Sequence, residues 1–391
     1  MFQATSRLPH VLPPRAYHAP EIAERERATV LRDGWHLVGT REELSRPGMF
    51  CTVELLGVPL IVRNCDGELR AFVNACAHRH CRITSEARGE SSRLRCPYHG
   101  WEYDAAGVAT KIPAPRNFVP LEQGEFRLRE HRVATCGQLV FVSLADDGIA
   151  LDEQLGPLAS IVSERFGPDW SPFLRFAPEY AANWKVPVEN SLEAYHVPAV
   201  HPKTFRSDPG ESRSRHVIDE HYTSFTVNLP FSPHSKLDAW FQRTEGWLLR
   251  QLGVAPRGEY SQHHAFPNLL FSFTDAVSLC HVVLPTSATT SRGLVLQFSR
   301  NARHGAAWQR FVAQAWGQLA AQITKRILQE DLRMFGEIQR GLEASPHEGV
   351  LGRCEERLFA FQAYVDRRLN LSQGVMESSL ACERAVEATH D

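Results

Sequence analysis

Cys76-Ala-His78 and Cys96-Pro-Tyr-His99-Gly-Trp101 form a pair of short motifs in which each cysteine is followed closely by a histidine. One is C-x-H and the other C-x-x-H, with 17 residues between His78 and Cys96. Structural zinc modules pair like with like, Cys with Cys and His with His, at wider spacing. Two mixed pairs instead suit a two-iron, two-sulfur cluster in which two thiolates hold one iron and two imidazoles the other. Each short pair supplies one ligand to each iron, so the spacing has a geometric reason.

The sequence around these motifs reads as β structure. Apolar runs at Phe50–Leu55, Val58–Val62, Leu69–Val73 and Gln138–Ser143 are separated by turn residues at Asn64–Gly67 and Asp104–Gly107. An antiparallel β domain is expected over 36–146. Before it, residues 1–35 form a proline-interrupted lead-in expected to pack on the second domain. One helix is expected from Glu21 to Trp35, with Ile22, Val30 and Leu31 inward. The second domain, 147–391, mixes elements. A helix suits Asn183–Tyr195, ending near Pro198, and strands follow at Asn268–Phe273, Ser278–Leu284 and Leu294–Phe298. Long helices cover Ala306–Leu342 and Glu355–Leu369. The fold class is α+β.

Composition narrows the function. The chain has 391 residues, 43 Lys plus Arg against 45 Asp plus Glu, and a formal charge of −2. A near-neutral balance offers no footprint for nucleic acid, and no apolar run approaches the roughly 18 residues of a membrane span. Residues Met1 to Ile22 lack the apolar core of a signal peptide, which implies a cytoplasmic location. Nine cysteines, an odd and unevenly spaced set, do not suggest a disulfide framework.

A second constellation lies in the run Asn183-Trp-Lys-Val-Pro-Val-Glu189-Asn190-Ser-Leu-Glu193-Ala-Tyr195-His196-Val-Pro198-Ala-Val-His201. On a helix Glu193 and His196 share a face, whereas His201 falls about 140° away. Pro198 allows a bend that brings His201 back. Two histidines need a carboxylate to complete the facial triad of non-haem Fe(II) oxygenases. Glu330 and Asp331 on the long helix are the candidates. Glu330 has Arg326 and Arg333 among its neighbours three and four residues away, but those of Asp331 are Ile327, Leu328, Met334 and Phe335, all apolar. A carboxylate in such a stripe needs a positive partner. A structural pair would serve too, but two histidines upstream favour a metal.

The first constellation resembles the Rieske protein family. High-potential respiratory members carry two further bridging cysteines. Cys81 stands where the first would be, and Tyr98 where the second would be. The pattern is therefore similar to the low-potential Rieske centres of oxygenases, with Cys81 a spare thiol. From Trp35 to about Leu369 the chain resembles the Rieske non-haem iron oxygenases (the aromatic-ring-hydroxylating dioxygenase alpha-subunit type), through NWK, EN-x-x-E-x-YH with its second histidine, and Gln329-Glu-Asp331 running on to Gln339-Arg-Gly341-Leu. The resemblance implies an antiparallel β Rieske [2Fe–2S] domain followed by a helix-grip (START-like) α+β catalytic domain. It implies a [2Fe–2S] cluster on Cys76, His78, Cys96 and His99 and mononuclear Fe(II) on His196, His201 and Asp331. By the same resemblance Glu193 bridges His99 of one subunit to His196 of the next across a head-to-tail homotrimer interface, carrying electrons. Most ring-hydroxylating members place Asp there. Glutamate is similar to the branch acting on carnitine, choline and related quaternary amines, although a longer carboxylate alone changes reach rather than charge.

A cation site would want aromatic faces, for which Phe225, Phe231, Trp240, Phe241, Trp247, Phe266 and Phe273 are candidates without forming a named cage. No Gly-rich dinucleotide motif is present, so electrons must come from a separate NAD(P)H-dependent reductase, with or without a ferredoxin. The expected activity is that of a terminal oxygenase using O2 for monooxygenation, demethylation or C–N cleavage of a quaternary or other amine. Aromatic-ring dihydroxylation and natural-product hydroxylation are the alternatives within the class. A Rieske electron-transfer protein, or a ligand-binding helix-grip protein with a vestigial cluster, are those outside it.

Overall fold

Asp66-Gly67 and Leu56-Gly57 both sit at positive φ, the geometry of two-residue hairpin turns whose twist matches paired strands. They connect three consecutive strands, Met49–Leu55, Val58–Cys65 and Glu68–Val73, in a computed structural model that describes residues 2–120, 122, 124–205, 207–232 and 235–370. These strands belong to a seven-stranded antiparallel sheet. Its spatial order is Trp35–Thr40, Leu139–Ser143, Glu130–Cys136, Glu68–Val73, Val58–Cys65, Met49–Leu55, Arg88–Glu90. A small three-stranded sheet, Leu94–Arg95, Glu102–Tyr103 and Ala109–Lys111, carries the second Cys/His loop. Phe72, Trp101 and Tyr103 are buried at the centre of this unit, which runs from Arg32 to Pro168.

Residues 147–168, expected from pattern with the second domain, pack instead in the β unit. The reason is local. Helices Leu151–Leu155 and Leu158–Arg165 bury Leu155 and Val162, and Gln138 donates through its backbone to Phe166 O at 2.8 Å and through Nε2 to Gly167 O at 2.7 Å.

The other unit joins the segment up to Leu31 to the chain from Asp169 onward. Its main sheet is antiparallel, in the order Trp170–Phe176, Ser291–Arg300, Val277–Pro285, Leu269–Phe273, Glu259–Ala265, Tyr222–Asn228, Ser214–Ile218. The helix Ala307–Ala344 lies against this sheet, as a helix-grip fold requires. Gly317 permits the close approach, because a Cβ there would run into the Phe173 ring. Among the described residues no helix is long and apolar enough to cross a membrane.

The lead-in departs from expectation at Glu26. The α-helix Pro20–Arg25 widens into a π-helical stretch, Glu26–Leu31, and Trp35 opens a strand. Ile22, Val30 and Leu31 do face inward, and Glu26 joins them. Glu26 is held by Lys185 Nζ and by Trp184 Nε1 at 2.7 Å, all three side chains buried. The Asn183–Tyr195 helix is also shorter than expected, spanning Lys185–Asn190 only. A separate turn follows at Val197–Val200. Pro198 begins that second helix rather than ending the first, as its fixed φ and missing N–H allow.

Candidate metal centres and active-site cavity

The two Cys/His loops meet at the end of the β unit. Cys76 and Cys96 are each 2% exposed, and their thiols lie together. Tyr103 OH lies 3.0 Å from Cys76 Sγ and accepts Ala77 N–H at 3.0 Å. The turns close on themselves: His80 N–H donates to Cys76 O at 2.9 Å and Gly100 N–H to Cys96 O at 3.0 Å. Gly100, at φ +76°, makes the second closure possible. The rings of His78 and His99 stand 4.7 Å apart, with Trp101 stacked on His78 at 5.0 Å. His78 Nδ1 is buried and has no hydrogen-bond partner among the described residues, whereas His99 is exposed. Burial, with Cys96 adding, raises the Cys76 thiol. Two buried thiols and an imidazole nitrogen without a donor are what a cationic cluster satisfies. Cys81 also lies against Cys96, and its thiol is raised by burial and by both neighbouring sulfurs.

In the other unit, the short helix Val197–Val200 separates His196 from His201 and turns both rings toward the long helix. Glu193 and His196 do not share a helix, yet they meet: Glu193 Oε1 accepts from His196 Nδ1, and Oε2 from His196 N–H at 3.0 Å. Glu330 Oε2 accepts from His201 Nδ1 at 2.9 Å. A carboxylate only accepts, so each Nδ1 carries a proton, which leaves Nε2 as the ring nitrogen available to a metal ion. Both Nε2 atoms face Asp331 Oδ1, at 3.6 Å from His196 and 3.1 Å from His201. Asp331 Oδ1 is buried and accepts no hydrogen bond from the described residues. One donor atom from each of the three residues lies within 4.8 Å of the others. The two Nε2 atoms and the carboxylate oxygen could together hold a cation, with the carboxylates behind both histidines orienting the rings. The field agrees. Burial works against a charged His201, but Asp331 and Glu330 outweigh it and hold the imidazole above its ordinary value.

The sequence brings Asp331 to this place because Ile327, Leu328 and Phe335 on the same helix face inward, although Met334, the fourth of its apolar neighbours, is exposed. Glu330 has a role that its partly charged neighbourhood concealed. It is the counterpart of Glu193 for the second histidine: Glu330 and Asp331, adjacent on the helix, lie against opposite nitrogens of the His201 ring, and that adjacent carboxylate pair is its signal in the sequence.

The triad lines a cavity of about 510 Å³ within this unit. Phe205, Phe225, Phe231 and Tyr260 form a contiguous aromatic group on its wall. Of the aromatic candidates, Phe225, Phe231 and Phe241 line the cavity, Trp240 and Trp247 are exposed, and Phe266 and Phe273 are core. His281 lines it too, pushed down to about 4 by burial and bonded to Tyr180 OH at 2.9 Å.

Comparison with known proteins agrees with this architecture. Residues 34–132 match the Rieske [2Fe–2S] domain, and residues 167–371 match the ring hydroxylating alpha subunit (catalytic domain). The chain is 32% identical over 209 residues to the glycine betaine monooxygenase oxygenase subunit of Chromohalobacter salexigens, covering 51% of this chain and 44% of that one. It is 33% identical over 192 residues to the anthranilate 1,2-dioxygenase large subunit of Acinetobacter baylyi, covering 46% and 40%. The matched region thus spans less than half the length of each of these relatives. In fold, a quaternary ammonium Rieske monooxygenase in complex with L-carnitine superposes with a TM-score of 0.73 at 20% identity, over 92% of this chain and 95% of that one. With a Rieske domain in the β unit and more than half its length matched by the catalytic domain that follows, the chain belongs to the ring-hydroxylating alpha subunit family of Rieske non-haem iron oxygenases.

Proposed function

We propose that this chain is the terminal oxygenase of a multicomponent system, hydroxylating a small organic substrate with O2 and reductase-supplied electrons. The observation that carries the proposal is the convergence of His196, His201 and Asp331, with an unbonded buried carboxylate oxygen, on the wall of a substrate-sized cavity. In this reading Cys76, His78, Cys96 and His99 hold the cluster, and His196, His201 and Asp331 hold the mononuclear iron. When bound, the cluster supplies single electrons and the ferrous ion supplies oxygen activation. The chain's own contribution is orientation. Glu193 and Glu330 keep the protons on Nδ1, so that both Nε2 lone pairs point at one position beside Asp331. The apolar wall of Phe225, Phe231 and Leu270 keeps water from the reacting bond.

Glu193 has a second task as an inter-subunit bridge. Each of its oxygens keeps a lone pair beyond its bond to His196, and His99 is exposed, which suits contact with a second copy in a head-to-tail homotrimer. An NAD(P)H-dependent reductase, alone or with a ferredoxin, is the partner, and the cytoplasm is the compartment. The substrate class best supported by the relatives is a quaternary or other amine, undergoing monooxygenation, demethylation or C–N cleavage. Ring dihydroxylation is the second reading, favoured by the similarity to anthranilate dioxygenase and the aromatic wall.

The test is oxygen uptake by the cluster- and iron-loaded protein with NADH and a Rieske reductase, across quaternary amines and aromatic compounds. A member of the panel should raise uptake and yield a hydroxylated or dealkylated product. Reduction of the cluster without substrate-dependent uptake by any member would leave electron transfer as the function.

A further inference from the structure

Arg357, in the first turn of the helix Glu356–Leu369, is 1% exposed and lines the same cavity as the metal triad. Its Nε donates to Thr223 Oγ1 at 3.2 Å and its Nη1 to Gln262 Oε1 at 3.0 Å, both neutral acceptors. Nη2 is buried and has no acceptor among the described residues. The adjacent Glu356 is committed elsewhere, accepting from Gln3 N–H, Ala4 N–H at 2.7 Å and His216 Nδ1 at 2.8 Å. No ion pair to Arg357 is formed among the described residues. Burial alone pushes its guanidinium down to about 9.

A buried charge without a partner is costly, and proteins normally pair it. This unit does so for its other buried cation, Lys185, which sits on Glu26. Arginine does not readily shed its proton as lysine can, so Arg357 lacks an anion among the described residues. The guanidinium also packs over Phe225, 5.9 Å from the ring centroid, which holds its plane beside the aromatic wall. Among the described residues lining the cavity it is the one arginine or lysine, while Glu193, Asp208, Glu211, Asp238 and Asp331 line it as acids. A single fork with acids elsewhere on the wall suits a monoanion better than a phosphate dianion.

We propose that the substrate of this cavity carries a carboxylate, seated on Arg357 with Gln262 beside it, while the apolar body of the substrate extends along the aromatic wall. As a statement about substrate it rests on the oxygenase reading above. It narrows that reading: a zwitterionic betaine or an aromatic acid satisfies Arg357, and a simple cationic amine does not.

Binding separates the two claims, because it needs no turnover. Calorimetry on the loaded protein under anaerobic conditions compares glycine betaine with its carboxamide, and 3-phenylpropionate with 3-phenylpropanamide. In at least one pair the carboxylate should bind about 10- to 100-fold more tightly, as expected for hydrogen bonds to a charged group over neutral ones. Arg357→Gln should abolish that preference and Arg357→Lys should restore part of it. Equal binding within both pairs, no binding of either carboxylate up to its solubility limit, or a preference that survives Arg357→Gln would overturn the proposal. If Arg357→Gln does not fold, the wild-type pairs still decide. Preference for carboxylate without oxygen uptake on any substrate would keep Arg357 as an anion site and remove the oxygenase reading instead.

Discussion

Replacing Glu330 separates a metal ligand from the residue that aims one. Glu330 Oε2 lies 2.9 Å from Nδ1 of His201, a residue 2% exposed, and Thr204 Oγ1 supports the same oxygen at 3.4 Å. Glu330→Ala leaves a buried Nδ1–H without an acceptor, a loss of about 1–3 kcal/mol, and frees the ring to rotate. Orienting groups behind metal ligands typically contribute about 10–100-fold in affinity. Glu330→Ala should therefore weaken ferrous iron binding by about 100-fold. Glu330→Gln, which keeps an acceptor but not its charge, should weaken it by about tenfold. The assay is anaerobic Fe(II) titration of the cluster-loaded protein, with the visible spectrum of the cluster as an internal control. Arg326, which reaches Glu330 Oε1 at 3.3 Å from an exposed position, should matter little, as exposed pairs contribute about 0–1 kcal/mol. Iron affinity unchanged in Glu330→Ala would refute the orienting role. Iron lost from Glu330→Ala but retained by Asp331→Ala would show that the third ligand had been misassigned.

Glu193→Gln should keep both metals at normal content and lose substrate-coupled oxygen uptake. Full coupled turnover in that variant would end the bridge proposal. Glu26→Ala strands Lys185 as a buried charge and should cost about 3–5 kcal/mol in urea unfolding, while Glu26→Leu with Lys185→Met should recover most of it. A single-variant loss under about 1 kcal/mol would contradict the pairing. His264 is buried, and burial lowers its imidazole to about 3. The unfolded chain then binds the extra proton as pH falls below about 6.5, so stability present above that value is lost on acidification, by up to about 1.4 kcal/mol per pH unit. Urea midpoints at pH 7 and pH 5 should differ less in His264→Gln than in the parent chain, and equal differences would rule His264 out as a source.

The Cys/His spacing, the helical stripe around Asp331 and most strands were legible because each depends on residues a few positions apart. Long-range partnerships were not. Trp184 and Lys185 stand out in the sequence, but their partner Glu26 lies some 160 positions away, and nothing local marks it for burial. The expected helix over Asn183–Tyr195 ends at Asn190, a non-helical stretch separates it from the turn that begins at Val197, and Glu193 reaches His196 across that stretch rather than along a helix face. Glu330 looked half-solvated because helix neighbours describe only the helix surface, whereas His201 and Thr204 cover it from another segment. Arg357 was silent for the same reason. An arginine in a polar helix start shows no sign of burial until Thr223 and Gln262 are placed against it.

Selective removal of the mononuclear iron tests the central claim most directly. Mild anaerobic chelation of the loaded protein, followed by oxygen uptake with reductase and by the cluster's visible and paramagnetic resonance spectra, reads both centres in one sample. Oxygen uptake should fall to background while the cluster spectrum and its reduction persist, and added Fe(II) should restore uptake in the parent chain but not in Asp331→Ala. Uptake that survives iron removal, or that Fe(II) restores equally in Asp331→Ala, would contradict the account.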